Sequence, residues 1–80
     1  MSEAEARAEF NQLQRRYSEG APAGFWYQAG RKFGEALHQG LATVRAFLQW
    51  LRDEFRLFWN STGREIAFTA LAVKMTNYAI

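Results

Sequence analysis

The sequence YQAGRKFGEALHQGLATVRAFLQWLRDEFRLF, residues 27–58, carries apolar residues and glycines at heptad spacing. Residues within each of two columns are seven apart, and the second column follows the first by three, which places them at the a and d positions of a helix. The columns are Tyr27, Gly34, Leu41, Leu48 and Phe55, and Gly30, Leu37, Val44, Leu51 and Phe58. We call these positions the heptad seam and expect it to dock against other helices.

The heptad seam predicts one long amphipathic helix over residues 25–60, with a length of about 54 Å at 1.5 Å per residue. Gly30, Gly34 and Gly40 lie at interior positions of this helix. Each of them costs up to about 1 kcal/mol relative to Ala. The glycines leave two interpretations open, a single continuous helix or two shorter helices hinged near Gly40.

A short helix is predicted over residues 3–18, ahead of the long one. Ser2 is followed three residues later by Glu5, which is the spacing of a capping box. In a capping box each side chain binds the backbone N–H of the other residue at the start of a helix. The glycines and Pro22 predict a linker over residues 19–24.

The C-terminal segment predicts a hydrophobic helix over residues 63–78. Thr62 and Glu65 repeat the capping-box spacing at its start. Apolar residues lie almost all round its axis, a distribution typical of a helix that is buried on every side.

These segments predict an all-α chain that forms a single small helical unit over residues 1–80. A core of this size is marginal, and the chain has no cysteine to form a disulfide. Each short helix can cover less than half of a seam about 54 Å long. We therefore expect that the chain is not an independent globular fold and that an external partner covers the seam.

No segment predicts a transmembrane span. The longest uncharged apolar run near the C-terminus, residues 66–73, has eight residues, whereas a spanning helix needs about 20. Acidic Glu3 and Glu5, together with the lack of an apolar segment beside them, argue against a secretory signal. The sequence does not determine the location, and the expected one is the periphery of an organelle membrane, the mitochondrial inner membrane.

No catalytic constellation is recognisable, so we expect neither an enzyme nor a cofactor or metal site. Glu35 and His38 have the spacing found in carboxylate-bridged di-metal bundles, but such a site needs a second Glu-x-x-His and further carboxylates. The sequence holds a single His. A solvated surface pair is therefore the expected role of these two residues.

Residues 50–59, WLRDEFRLFW, concentrate arginines and aromatic residues. This mixture is typical of lipid–water boundaries and of protein interfaces. The candidate contacts to a lipid headgroup or an acidic partner are Arg31, Arg45, Arg52, Arg56, Trp50 and Trp59. The structural alternative is that the arginines only flank a packed seam. Because the net charge is +2, nucleic acid is not the expected partner.

These patterns favour a non-catalytic accessory subunit that docks by helix packing into a larger multi-subunit assembly. The preferred setting is a membrane-associated complex, in particular a mitochondrial energy-transducing one. The expected partners are other protein subunits, with peripheral lipid contact. Two alternatives stay open, an autonomous amphipathic protein that binds the membrane surface and a small homo-oligomeric helical bundle.

Overall fold

Four α-helices make up the described part of the chain in the computed structural model, which covers residues 1–60 and 63–79. The helices are α1 (Glu3–Arg16), α2 (Phe25–Gln39), α3 (Leu41–Phe58) and α4 (Arg64–Thr76). These ranges contain no strand, so the predicted all-α class is confirmed. Within the same ranges, no helix is long and apolar enough to cross a membrane.

Of the two interpretations left open for residues 25–60, the continuous helix is wrong and the pair of helices hinged near Gly40 is confirmed, because Gly40 separates α2 from α3. Gly40 has φ 133° and ψ 166°, a conformation that is strained for any residue with a side chain. Its N–H donates to the Ala36 carbonyl at 3.0 Å, and its own carbonyl accepts from the Val44 N–H at 3.1 Å. One helix therefore ends and the next begins at the same glycine. The longest dimension of the molecule is 33 Å, far less than the roughly 54 Å of a continuous helix.

The break at Gly40 resets the helical phase, so the heptad seam describes the core side of α3 but not of α2. The seam residues buried in α3 are Val44, Leu48, Leu51 and Phe55. The residues buried in α2 are Phe25, Ala29, Phe33 and Ala36, none of which belongs to the seam. Tyr27 and Leu41, which the pattern places in the seam, are 73% and 42% exposed.

α1 begins at the predicted capping box. Ser2 Oγ accepts a hydrogen bond from the Glu5 N–H, and Glu5 Oε1 accepts one from the Ser2 N–H, both at 3.2 Å. The helix ends at Arg16, slightly before the predicted residue 18. The second predicted capping box includes Thr62, which lies outside the described residues.

An aromatic cluster around Phe55 joins α3 to α2, α4 and the end of α1. The rings packed against Phe55 are those of Tyr17, Phe25, Trp26, Trp59 and Phe68, at centroid distances of 4.4–6.0 Å. Most of these pairs are edge-to-face, an arrangement that the quadrupole of an aromatic ring favours. Helices of the same chain thus bury the seam residues Val44, Leu48, Leu51 and Phe55. The expectation that the chain is not an independent globular fold is not confirmed.

α4 is buried along one side only, which corrects the prediction of a helix buried all round. Its buried residues are Ala67, Phe68, Leu71 and Met75. Ile66 and Val73 lie away from the core and are 61% and 59% exposed. After α4 the chain is tied to α2, because Lys32 Nζ donates a hydrogen bond to the Tyr78 carbonyl at 2.8 Å.

Candidate functional site

The outer side of α4 carries an apolar surface. Ile66 and Val73 are seven residues apart, so they lie on the same side of the helix, two turns from each other. Thr69 and Ala70 lie between them and form a shallow trough. We call the set Ile66, Thr69, Ala70 and Val73 the α4 face, which Glu65 and Lys74 border.

The α4 face offers hydrocarbon rather than polar groups that need a partner. Thr69 Oγ1 donates a hydrogen bond to the Glu65 backbone carbonyl at 3.0 Å, so the hydroxyl is satisfied within its own helix. Ala70 adds only a methyl group, which allows close approach of another backbone. Apolar surface of this kind gains free energy when another apolar surface covers it.

A fixed cation marks one border of the α4 face. Lys74 Nζ lies 3.0 Å from Glu54 Oε2 on α3, and it also lies 4.6 Å from the centroid of the Phe58 ring. The Glu54 side chain is 14% exposed, so the ion pair is partly shielded from water. These contacts hold α4 against the C-terminal half of α3 and neutralise the charge beside the apolar trough.

A second surface, of opposite character, lies between α1 and α3. It is a cleft of about 400 Å³ at the C-terminal ends of the two helices. Arg52 and Arg56 are four residues apart on α3 and project from the same side of that helix, whereas Arg16 comes from the last turn of α1. We call this surface the arginine cleft, lined by Leu13, Arg16, Tyr17, Arg52, Arg56, Trp59 and Asn60.

The arginine cleft is electrostatically uncompensated. Among residues 1–60 and 63–79, the ion pairs are Arg7–Glu3, Arg64–Glu19 and Lys74–Glu54, so none of the three cleft arginines is paired. Arg16 lies over the Tyr17 ring at 5.5 Å, which is a cation–π contact rather than a salt bridge. Glu9 lines an adjoining depression together with Arg16 and Arg52.

Four of the ten positions of the predicted docking seam are unavailable for docking. Val44, Leu48, Leu51 and Phe55 are buried in the core of this chain, so they cannot contact a partner without unfolding. The other seam positions are exposed (Tyr27, Gly34 and Leu41) or half-buried (Gly30, Leu37 and Phe58). The α4 face, which is exposed instead, has no member in the seam. Its signal in the sequence is the pair Ile66 and Val73, seven apart.

The structure brings together three of the six residues predicted to contact headgroups or acidic partners. Arg52, Arg56 and Trp59 line the arginine cleft. Arg45 is exposed on α3 outside the cleft, and Arg31 lines a separate shallow depression on α2.

Trp50 has a different role, because its ring packs against Tyr78 at 4.7 Å and Phe47 at 6.0 Å. It covers the core on the side of α3 away from the arginines. Arg16 joins the arginine cleft although sequence reasoning did not select it. The position of Arg16 in the sequence does not indicate that the last turn of α1 packs against α3.

Glu35 and His38 are both exposed on α2. In the part of the chain that the structure describes, no three His, Cys, Asp or Glu residues are grouped closely enough to hold a metal ion.

Comparison with protein-family models, with curated proteins and with solved structures gives no match to this chain.

Proposed function

We propose that this protein is a non-catalytic accessory subunit that docks onto a helix of another protein through the α4 face. The observation that carries the proposal is the exposure of Ile66 and Val73, 61% and 59%, on a helix whose opposite side is fully buried. Covering the exposed part of these two side chains contributes about 2–4 kcal/mol. This contribution is a substantial part of the binding free energy of an interface of modest size.

A helix is the proposed occupant because the α4 face has a large apolar side chain at each end and smaller side chains in its middle. Ile66 and Val73 form the ends, and Ala70 leaves a shallow groove between them. Side chains of a second helix pack into grooves of this form. Lys74, at the border of the α4 face, also lies over the Phe58 ring at the end of α3.

The heptad seam therefore does not serve as the proposed docking surface, although the proposed class of function is the one the sequence favours. Membrane association, and the mitochondrial inner membrane in particular, stay predictions from composition. A second copy of this chain is the alternative occupant of the α4 face.

The test is purification of the full-length tagged chain from its native source in mild detergent. We expect subunits in fixed stoichiometry to co-purify, and Val73→Glu to release them because it puts a charge into the apolar trough. Tyr27→Glu is the matched control, since Tyr27 is 73% exposed but lies on α2. Retention of the same subunits by Val73→Glu, with circular dichroism showing a folded chain, would refute docking through the α4 face. Equilibrium sedimentation of the purified chain identifies self-association.

A further inference from the structure

We propose that the arginine cleft binds a phosphate group, held by the guanidinium groups of Arg16, Arg52 and Arg56. This inference concerns the opposite flank of α3 from α4 and does not rest on the proposed docking function. The phosphate belongs either to a lipid headgroup or to a soluble phosphate compound, because the same chemistry recognises both.

The geometry of the arginine cleft suits a tetrahedral anion. Arg52 and Arg56 are one turn apart on α3 and form one wall, and Arg16 on α1 forms the other. Each guanidinium is a planar group with several N–H donors that match two oxygens of a phosphate at once. Donors that come from two helices approach the anion from different directions, as the tetrahedral arrangement of its oxygens requires.

The charge balance also calls for an anion. Arg7, Arg64 and Lys74 each have a carboxylate within 4 Å, whereas the arginine cleft is distinguished by three arginines that line one cavity. The three cleft arginines have no such partner among the described residues, so they repel one another across the cleft. The C-terminal end of α1 offsets only part of the charge on Arg16. A phosphate offsets part of the remainder, since a phosphate monoester carries about −1.5 to −2 charge at pH 7 and a phosphodiester headgroup carries a single negative charge.

The remaining lining supports recognition of an acceptor-rich ligand. Trp59 and Asn60 also line the cleft, and the indole and the side-chain amide are both N–H donors. The Tyr17 ring is 7% exposed and gives the cleft a rigid floor, because it stacks on Phe55. The described residues that line the cleft include no carboxylate, and Glu9 lines the adjoining depression rather than the part of the cleft formed by Arg56 and Trp59.

The experiment is calorimetric titration of the full-length chain with inorganic phosphate against sodium chloride of equal ionic strength. We expect saturable binding of phosphate, weakened about tenfold by Arg52→Gln and by Arg56→Gln because each removes a charge-assisted contact. Arg45→Gln is the matched control on α3, and Arg15→Gln is the control for Arg16→Gln at the end of α1. Both controls remove one positive charge without altering the lining, so their affinity should stay within about twofold of the natural chain.

Equal weakening by the control variants would overturn the proposal, because it would show attraction to net charge alone. Absence of saturable binding would overturn it as well. Arg52→Lys adds a geometric check, since it keeps the charge but loses the planar guanidinium that can bind two phosphate oxygens at once. We expect weaker phosphate binding than in the natural chain. Sedimentation with phosphatidylcholine vesicles containing phosphatidylglycerol then separates the two sources. Co-sedimentation that depends on Arg52 identifies a headgroup, and phosphate binding without it identifies a soluble ligand.

Discussion

The Tyr17 ring stacks on the Phe55 ring with centroids 4.4 Å apart and planes 2° from parallel. This one contact fixes the end of α1 against the last turn of α3, and it serves two purposes. It closes the aromatic core around Phe55, and it positions Arg16 opposite Arg52 and Arg56 across the cleft. Core packing and the arginine cleft therefore depend on the same pair of residues.

Phe55→Ala should destabilise the chain more than any other single truncation in α3. Phe55 is fully buried and contacts five aromatic rings, so its loss leaves a cavity at the point where the helices meet. We expect a loss of about 3–5 kcal/mol in the free energy of unfolding, measured by urea denaturation. Leu57→Ala, two positions away and 65% exposed, should change it by less than about 0.5 kcal/mol. Similar effects of the two variants would contradict the described core.

Gly40→Ala and Gly34→Ala should shift the stability in opposite directions. Ala at position 40 must adopt φ near 133°, at a cost of about 1–3 kcal/mol. Gly34 lies inside α2, exposed, with nothing within 4 Å of an added Cβ. Ala there should raise the free energy of unfolding by about 0.5–1 kcal/mol. If residues 25–60 formed one continuous helix, both variants would be stabilising. Thermal unfolding of the two variants therefore distinguishes a continuous helix from one that is broken at Gly40.

The sequence predicts the features of this fold that depend on residues close together along the chain. The start of α1 is local chemistry, and Ser2 with Glu5 predicts it correctly. The heptad pattern also predicts correctly which side of α3 faces the core, because such a pattern holds within one uninterrupted helix. The pattern fails across Gly40, where the backbone changes direction and α2 presents a different side to the core.

The candidate surfaces could be predicted only in part, for a similar reason. Arg52 and Arg56 lie on one helix, so their spacing places them together. Arg16 meets them only because Tyr17 packs on Phe55, a contact between distant parts of the chain that spacing does not encode. The exposed side of α4 depends on which neighbours cover it. The distribution of apolar residues around the axis of α4 predicted a helix buried all round.

The capping box should make the stability of the chain depend on acid pH. The pKa of Glu5 is lowered, first by the hydrogen bond from the Ser2 backbone N–H, then by the Ser2 side chain and the charge of the N-terminus. A carboxylate with a lowered pKa stabilises the fold above its ordinary pKa, and this stabilisation is lost as pH falls through the lowered value. Glu5→Gln should therefore flatten the acid side of the Tm–pH curve.

Glu35→Gln serves as the control for loss of one exposed carboxylate, since Glu35 lies on α2 outside the capping box. We expect Glu35→Gln to keep the acid-side slope of the Tm–pH curve, which Glu5→Gln should flatten. An unchanged slope in Glu5→Gln would show that the ionised Glu5 carboxylate does not stabilise the fold in solution.

Arg52→Gln should raise the Tm of the ligand-free chain at low ionic strength. Removing one of three unpaired arginines relieves repulsion in the cleft, whereas loss of a structural salt bridge would lower the Tm. The gain should shrink at high salt, because screening weakens the same repulsion. Arg45→Gln, on the same helix outside the cleft, should give a smaller gain. A lower Tm for Arg52→Gln at every salt concentration would mean that the arginine stabilises the fold.

Site-specific photo-crosslinking in the native cell tests docking through the α4 face most directly. A photoreactive phenylalanine replaces Val73 in one chain and Tyr27 in another, since both positions are exposed and they lie on different helices. We predict one discrete adduct of constant mass from position 73 and none from position 27. An adduct from position 27 alone, or none from either position, would contradict the proposed accessory-subunit function.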